Sequence, residues 1–133
     1  MGIWTKEGSK NTADIYLSNK SQNAKLYLGL LTSNPAAAIL NDLTLGELVE
    51  PSATSYAREE IIPSNWVVAG ELSVYPSIEF QIGLESFGTI YGCFIATTPD
   101  ASGKLLAIHQ FSASVEMKYY GDRLEITLRV TIT

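Results

Sequence analysis

The chain has 133 residues, is 46% hydrophobic and 17% charged, and carries a formal net charge of −5. That length points to one domain, able to bury a core without disulfides or metals. The acidic balance and the lack of a basic stripe exclude a phosphate-tracking role, and the low charge suggests surface that is uncharged or covered by a partner.

Cys93 is the single cysteine, so no internal disulfide forms and the fold needs no oxidising compartment. The start, MGIWTKEGSKNTADIYLS, lacks the basic stretch and apolar run of a signal peptide. Gly2 is present, but Lys6 stands where a myristoylation signal takes Ser or Thr. No run approaches the ~20 apolar residues that span a bilayer. A soluble protein made in a cytoplasm, with no membrane contact, is expected.

Residues 1–12 are polar but hold Ile3 and Trp4. They read as an arm anchored by Trp4, packed on its own domain or on a neighbouring subunit. The rest, 13–133, reads as one β domain. Ala13–Leu17 suggests an edge strand or a helical turn, and Ser18–Asn23 a polar turn. AKLYLGLLT, Ala24–Thr32, is apolar on both faces and reads as a buried strand.

Residues 33–55 form a long excursion between strands. Thr44 and Glu47 have capping-box spacing, with room for a single turn before Pro51. Loops of this length tend to contact something. Tyr56–Ile62 reads as a strand stopped by Pro63, and Trp66–Ala69 as a short one. Leu72–Ile82 alternates, with Val74, Ile78, Phe80 and Ile82 on one face and Ser73, Tyr75, Ser77, Glu79 and Gln81 on the other. Pro76 implies an edge or a bulge there.

GTIYGCFIATT, Gly88–Thr98, is uncharged and apolar on both faces. It reads as the central strand, with Ile90, Phe94 and Ala96 on one side and Thr89, Tyr91, Cys93 and Ile95 on the other. A dense turn at 98–103 joins it to a strand over Lys104–Ser112 as a hairpin. Val115–Tyr119 and Arg123–Thr133 read as a last pair, with Leu124, Ile126, Leu128, Val130 and Ile132 inward. About eight short strands joined by turns favour an all-β, antiparallel sandwich of jelly-roll-like form, with an N-terminal arm and one long loop.

Signals for chemistry are weak. One His and one Cys cannot build a zinc site, and neither an EF-hand nor a phosphate loop is present. Cys93 lies among apolar residues and reads as a buried, inert thiol. His109, inside a strand pattern, reads as a hydrogen-bonded structural residue rather than a catalytic one. Glu79 and Glu85 are the pair a glycosidase would use, but charged strand faces are usually just solvated. The expectation is a non-enzyme without a cofactor. Tyr56, Trp66, Tyr75, Tyr91, Tyr119 and Tyr120 suit either a core or a sugar- or protein-binding face.

The order of short phrases carries a resemblance. LYLGLLT precedes LTLGELVEPSATSYAREEI, then Trp66, YPSIEFQI, GTIYGCFIATT, LLAIHQF and the closing YYGDRLEITLRVTIT. Tyr56-Ala57-Arg58 and Gly121-Asp122 are its most telling pieces. Over Ala24–Thr133 this resembles small β-sandwich structural proteins of tailed bacteriophages, namely capsid decoration (cement) proteins and some fibre-associated proteins. The resemblance implies a virion location on the capsid surface, with the major capsid protein and further copies of itself, as a homotrimer, for partners. It implies no direct nucleic-acid contact. Ile3, Trp4, Leu43, Leu45, Leu48, Tyr56 and Trp66, on the arm and the long loop, are the expected partner-binding residues. The competing expectation is a carbohydrate- or receptor-binding module of a tail fibre.

Overall fold

Ladder pairing divides the strands into two sheets. The computed structural model describes residues 2–5, 25–35, 37–62, 65–69 and 72–131. Its strands are β1 (Gly2–Trp4), β2 (Leu26–Leu31), β3 (Glu59–Ile61), β4 (Val67–Ala69), β5 (Leu72–Gln81), β6 (Gly88–Ala96), β7 (Leu105–Met117) and β8 (Arg123–Thr131). A five-stranded sheet runs β1-β7-β6-β2-β3, and a three-stranded sheet runs β4-β5-β8. Every pairing is antiparallel. The result is an all-β sandwich. The readings of 6–24, Pro63 and the turn at Gly70-Glu71 lie outside the described residues.

The main core lies between the sheets. Leu28, Leu30, Ile61, Ile90, Cys93 and Met117 meet Tyr75, Ile78, Phe80 and Ile126 there. A second core covers the other face of the large sheet. Leu31, Phe94, Ala96, Leu105 and Ile108 pack under Leu40, Leu43 and Leu45 of the long excursion. That excursion is therefore a lid. It holds two short 3-10 turns, Ala37–Asp42 and Leu45–Glu47. The Thr44 N–H and hydroxyl both donate to the Glu47 carboxylate, at 3.1 and 2.7 Å, which realises the expected cap. Thr32 N–H donates to the Val49 carbonyl at 2.9 Å, and the Gln110 amide donates to Asn34 Oδ1 and to the Pro35 carbonyl at 2.8 and 2.6 Å. Both ends of the lid are thus fastened to the sheet.

Bulges overturn two facing assignments. The register of β5 on β8 shifts between Tyr75 and Ile78, around Pro76. The extra residue flips the parity, so Tyr75 is buried in the core beside Ile78 instead of facing away. A second shift lies between Ile90 and Gly92 of β6, where β7 advances from Val115 to Gln110. Ile90 therefore shares the main core with Cys93, while Phe94 and Ala96 face the lid. The expected break between Ser112 and Val115 is absorbed into one continuous β7.

The expected last pair is also corrected. Met117 ends β7 in the large sheet, and β8 pairs with β5 in the small one. The chain crosses between sheets through residues 118–122, because Leu124, Ile126 and Leu128 find their apolar surface in the main core.

The two cores require close approach at particular glycines. A Cβ at Gly29 would lie 2.3 Å from the Phe94 ring, and one at Gly92 would lie 2.2 Å from the His109 carbonyl oxygen. The second obstacle is backbone and cannot rotate away. We expect Gly92→Ala to lower stability by about 2–3 kcal/mol or more in urea melts. Gly46→Ala, with nothing within 4 Å of the new methyl, should change it by no more than ~0.5 kcal/mol.

Candidate functional site: an apolar tip on two joined loops

Most expected partner-binding residues turn inward. Leu43 and Leu45 are buried in the lid core, and Leu48 packs against it. Trp66 packs on the main core, edge-on to Tyr75 at 5.3 Å between ring centroids. The Tyr75 hydroxyl accepts from the Ile62 N–H and from Asn65 Nδ2, both at 3.1 Å. Ile3 and Trp4 belong to β1, whose backbone pairs with Ile108 and Ala107 of β7. Thr5 closes that strand. Buried, it donates its N–H to the Leu106 carbonyl at 2.9 Å and its hydroxyl to the Leu105 carbonyl. The first residues of the arm thus lie on the chain's own sheet.

Tyr56 performs a backbone task. β3 ends opposite Leu28, which leaves the Leu30 N–H with no strand beyond it. That N–H donates to the Tyr56 hydroxyl at 2.9 Å. The ring stacks on Phe80 and meets Phe87 edge-on. Burial pushes the phenol well above its ordinary pKa, so it stays neutral.

Arg58 is the other internal tie. Its side chain is only 5% exposed, and its guanidinium lies 5.0 Å from the Phe94 ring centroid. Nε donates to Glu50 Oε1 at 2.9 Å, and Nη2 donates to the same oxygen. Nη1 donates to the carbonyls of Thr98 and Asp100, at 2.9 and 2.5 Å. One cation therefore joins the lid's end to the β6–β7 turn. The Ser102 hydroxyl and N–H both donate to the Asp100 carboxylate and hold its pKa below the usual range.

The candidate catalytic groups are dispersed. Glu79 pairs with Arg123 Nε at 3.4 Å, while Glu85 accepts from the Thr54 hydroxyl at 2.7 Å. His109 is exposed and its ring is tilted against Phe111. Partial desolvation lowers its pKa, which favours the neutral ring. Cys93 is buried, and desolvation pushes its thiol up to about 12. Among the described residues no group of three or more His, Cys, Asp and Glu is placed to hold a metal ion, and no helix is long and apolar enough to cross a membrane.

The three most exposed large apolar groups lie on two joined loops, while Ile39, Val49, Ile62 and Val67 are exposed on other segments. Leu84 is 96% exposed, Tyr119 73% and Tyr120 80%. Their loops, 82–87 and 117–122, are joined by backbone hydrogen bonds. Ile82 N–H donates to the Asp122 carbonyl at 2.9 Å, Gly121 N–H to the Ile82 carbonyl at 3.2 Å, and Phe87 N–H to the Met117 carbonyl at 3.0 Å. The Asp122 carboxylate accepts from the N–H groups of Lys118 and Tyr119, at 3.2 and 3.0 Å. Gly121 supplies the positive φ, 85°, that the turn needs. Large apolar side chains are therefore held out on a cross-braced turn, an arrangement suited to contact. Tyr119 and Tyr120 were legible as candidates. Leu84 was not, although a leucine inside a turn, at no strand-facing position, was the available signal.

No protein-family model matches the chain, and no curated protein matches it.

Two outcomes follow from the buried groups. Arg58→Ala leaves the Glu50 carboxylate, 20% exposed, without its cation, and should cost about 3–5 kcal/mol in denaturant melts. Arg58→Lys restores the charge without the planar fork and should recover only part of that loss. Cys93 should resist thiol reagents in the folded protein at pH 8 and react fully on unfolding. Because its folded pKa of about 12 exceeds the ordinary 9.0, its contribution to stability is complete below pH 9 and fades as pH rises towards 12.

Proposed function

We propose that this chain is a structural protein of a tailed-phage virion, a decoration protein that binds the assembled head and bridges capsomers. It acts by binding and not by catalysis, needs no cofactor, and sits on the capsid surface as a homo-oligomer against the major capsid protein. The exposed Leu84–Tyr119–Tyr120 tip carries the reading. Large apolar groups on a braced turn are a surface for another protein, with ring faces for area and hydroxyls for the wet rim. The sandwich behind them supports it, since Arg58, Tyr56 and Cys93 are committed to the fold.

The exposed tyrosine pair also favours a second reading, a carbohydrate- or receptor-binding module of a tail fibre. The aromatic platform would then be Tyr119 with Tyr120, because Trp66 and Tyr75 are packed together against the core.

Mixing the protein with emptied shells and with free coat protein tests the first reading. Binding to shells alone is expected. A variant carrying Leu84→Ser, Tyr119→Ser and Tyr120→Ser should keep its melting temperature and lose shell binding. Full shell occupancy by that variant would count against the tip. A glycan array that yields a binder lost in the same variant, with no shell binding by the parent chain, would favour the second reading.

A further inference from the structure

β8 is the outer strand of the small sheet, and among the described residues only β5 pairs with it. Its nine residues, RLEITLRVT, contain neither Gly nor Pro. The bulge at this junction sits in β5, so β8 itself runs unbroken. Natural edge strands are usually short, bulged or shielded by inward charge, and an unbroken edge of this length invites another strand.

The side chains of β8 suggest which strand. Arg123, Glu125, Thr127 and Arg129 are all exposed on its outer face. Arg123 is paired with Glu79, and no ion pair within the chain is described for Glu125 or Arg129. Leu124 and Leu128 face the main core but remain half-buried at its margin.

We propose that β8 pairs antiparallel with β8 of a second copy, across a two-fold axis centred on Thr127. In this register Glu125 lies opposite the partner's Arg129, and Arg129 opposite the partner's Glu125. A two-fold contact makes each pair occur twice, on one face of a continuous sheet. On the inner face Ile126 lies opposite the partner's Leu128, which extends the apolar margin. Neighbouring registers fail. Centring on Ile126 sets Arg123 against the partner's Arg129. Centring on Glu125 or on Arg129 sets like charges face to face, and centring on Leu128 pairs no opposite charges. Steps of one residue would put apolar groups on the solvent face. The interface joins two small sheets into one of six strands and is independent of any role on a virion.

A charge-swap series tests it, read by sedimentation equilibrium at tens of micromolar. The parent chain should be a dimer. E125R sets two arginines opposite two arginines, and R129E sets glutamates opposite glutamates. Each should raise the dimer dissociation constant about tenfold or more. The double variant E125R/R129E should recover the dimer, and mixing the two single variants should yield a heterodimer. Unchanged thermal melts keep misfolding out of the comparison, since both positions are exposed. Thr127→Cys provides a second readout: mild oxidation should couple it into a covalent dimer and leave Glu125→Cys without an intermolecular disulfide. A monomeric or trimeric parent chain, a single reversal that leaves the dimer intact, or coupling through Glu125→Cys in place of Thr127→Cys would overturn the proposal.

Discussion

Strand β6 has no solvent face, and the architecture answers that constraint. Ile90 and Cys93 need cover from the small sheet, while Phe94 and Ala96 need it from the opposite side. Burying a residue the size of Phe94 contributes about 2–3 kcal/mol, so leaving the second face open would be costly. The chain supplies the cover with the excursion through residues 37–48, which has too little regular structure to stand alone. It holds its place through Leu40, Leu43 and Leu45, and through hydrogen bonds at both ends. The Phe94 ring fits only because Gly29 on the neighbouring strand has no side chain. A guanidinium then lies over the same ring and ties lid to turn.

This geometry explains the phrases that carry the resemblance. In Tyr56-Ala57-Arg58, Tyr56 supplies an acceptor to a strand edge and Arg58 joins three segments. In Gly121-Asp122, the glycine gives the positive φ and the carboxylate gathers two N–H groups, so the chain can pass from one sheet to the other. All of these roles are internal. These residues hold the sandwich together, and none of them is part of the exposed tip or of the outer face of β8.

Much of the candidate site was hidden in the sequence for a physical reason. Leucines in a long loop look available to a partner, but Leu43 and Leu45 are consumed by the second core, whose other half comes from Leu31 on β2 and from the distant strands β6 and β7. Tyr56 and Trp66 have the composition of interface aromatics and the surroundings of core ones. Tyr119 and Tyr120 have the same composition and are exposed. Tyrosine serves both purposes, so its residue type cannot separate them.

Local pattern was enough for the all-β class, the β6–β7 hairpin, burial of β6 on both faces, the burial of Cys93 and the Thr44–Glu47 cap. Each rests on neighbours within a few residues: alternation, turn chemistry, or a side chain reaching its own backbone. Sheet membership and facing across the bulges were set by distant partners. Alternation reports which residues share a face only while the ladder stays in register. The extra residue at Pro76 brings Tyr75 into the core, and the shift beside Tyr91 moves Ile90 to the side of Cys93. Alternation also cannot say which strand lies alongside. β8 follows β7 in sequence yet pairs with β5, because its apolar face is satisfied in the core between the sheets.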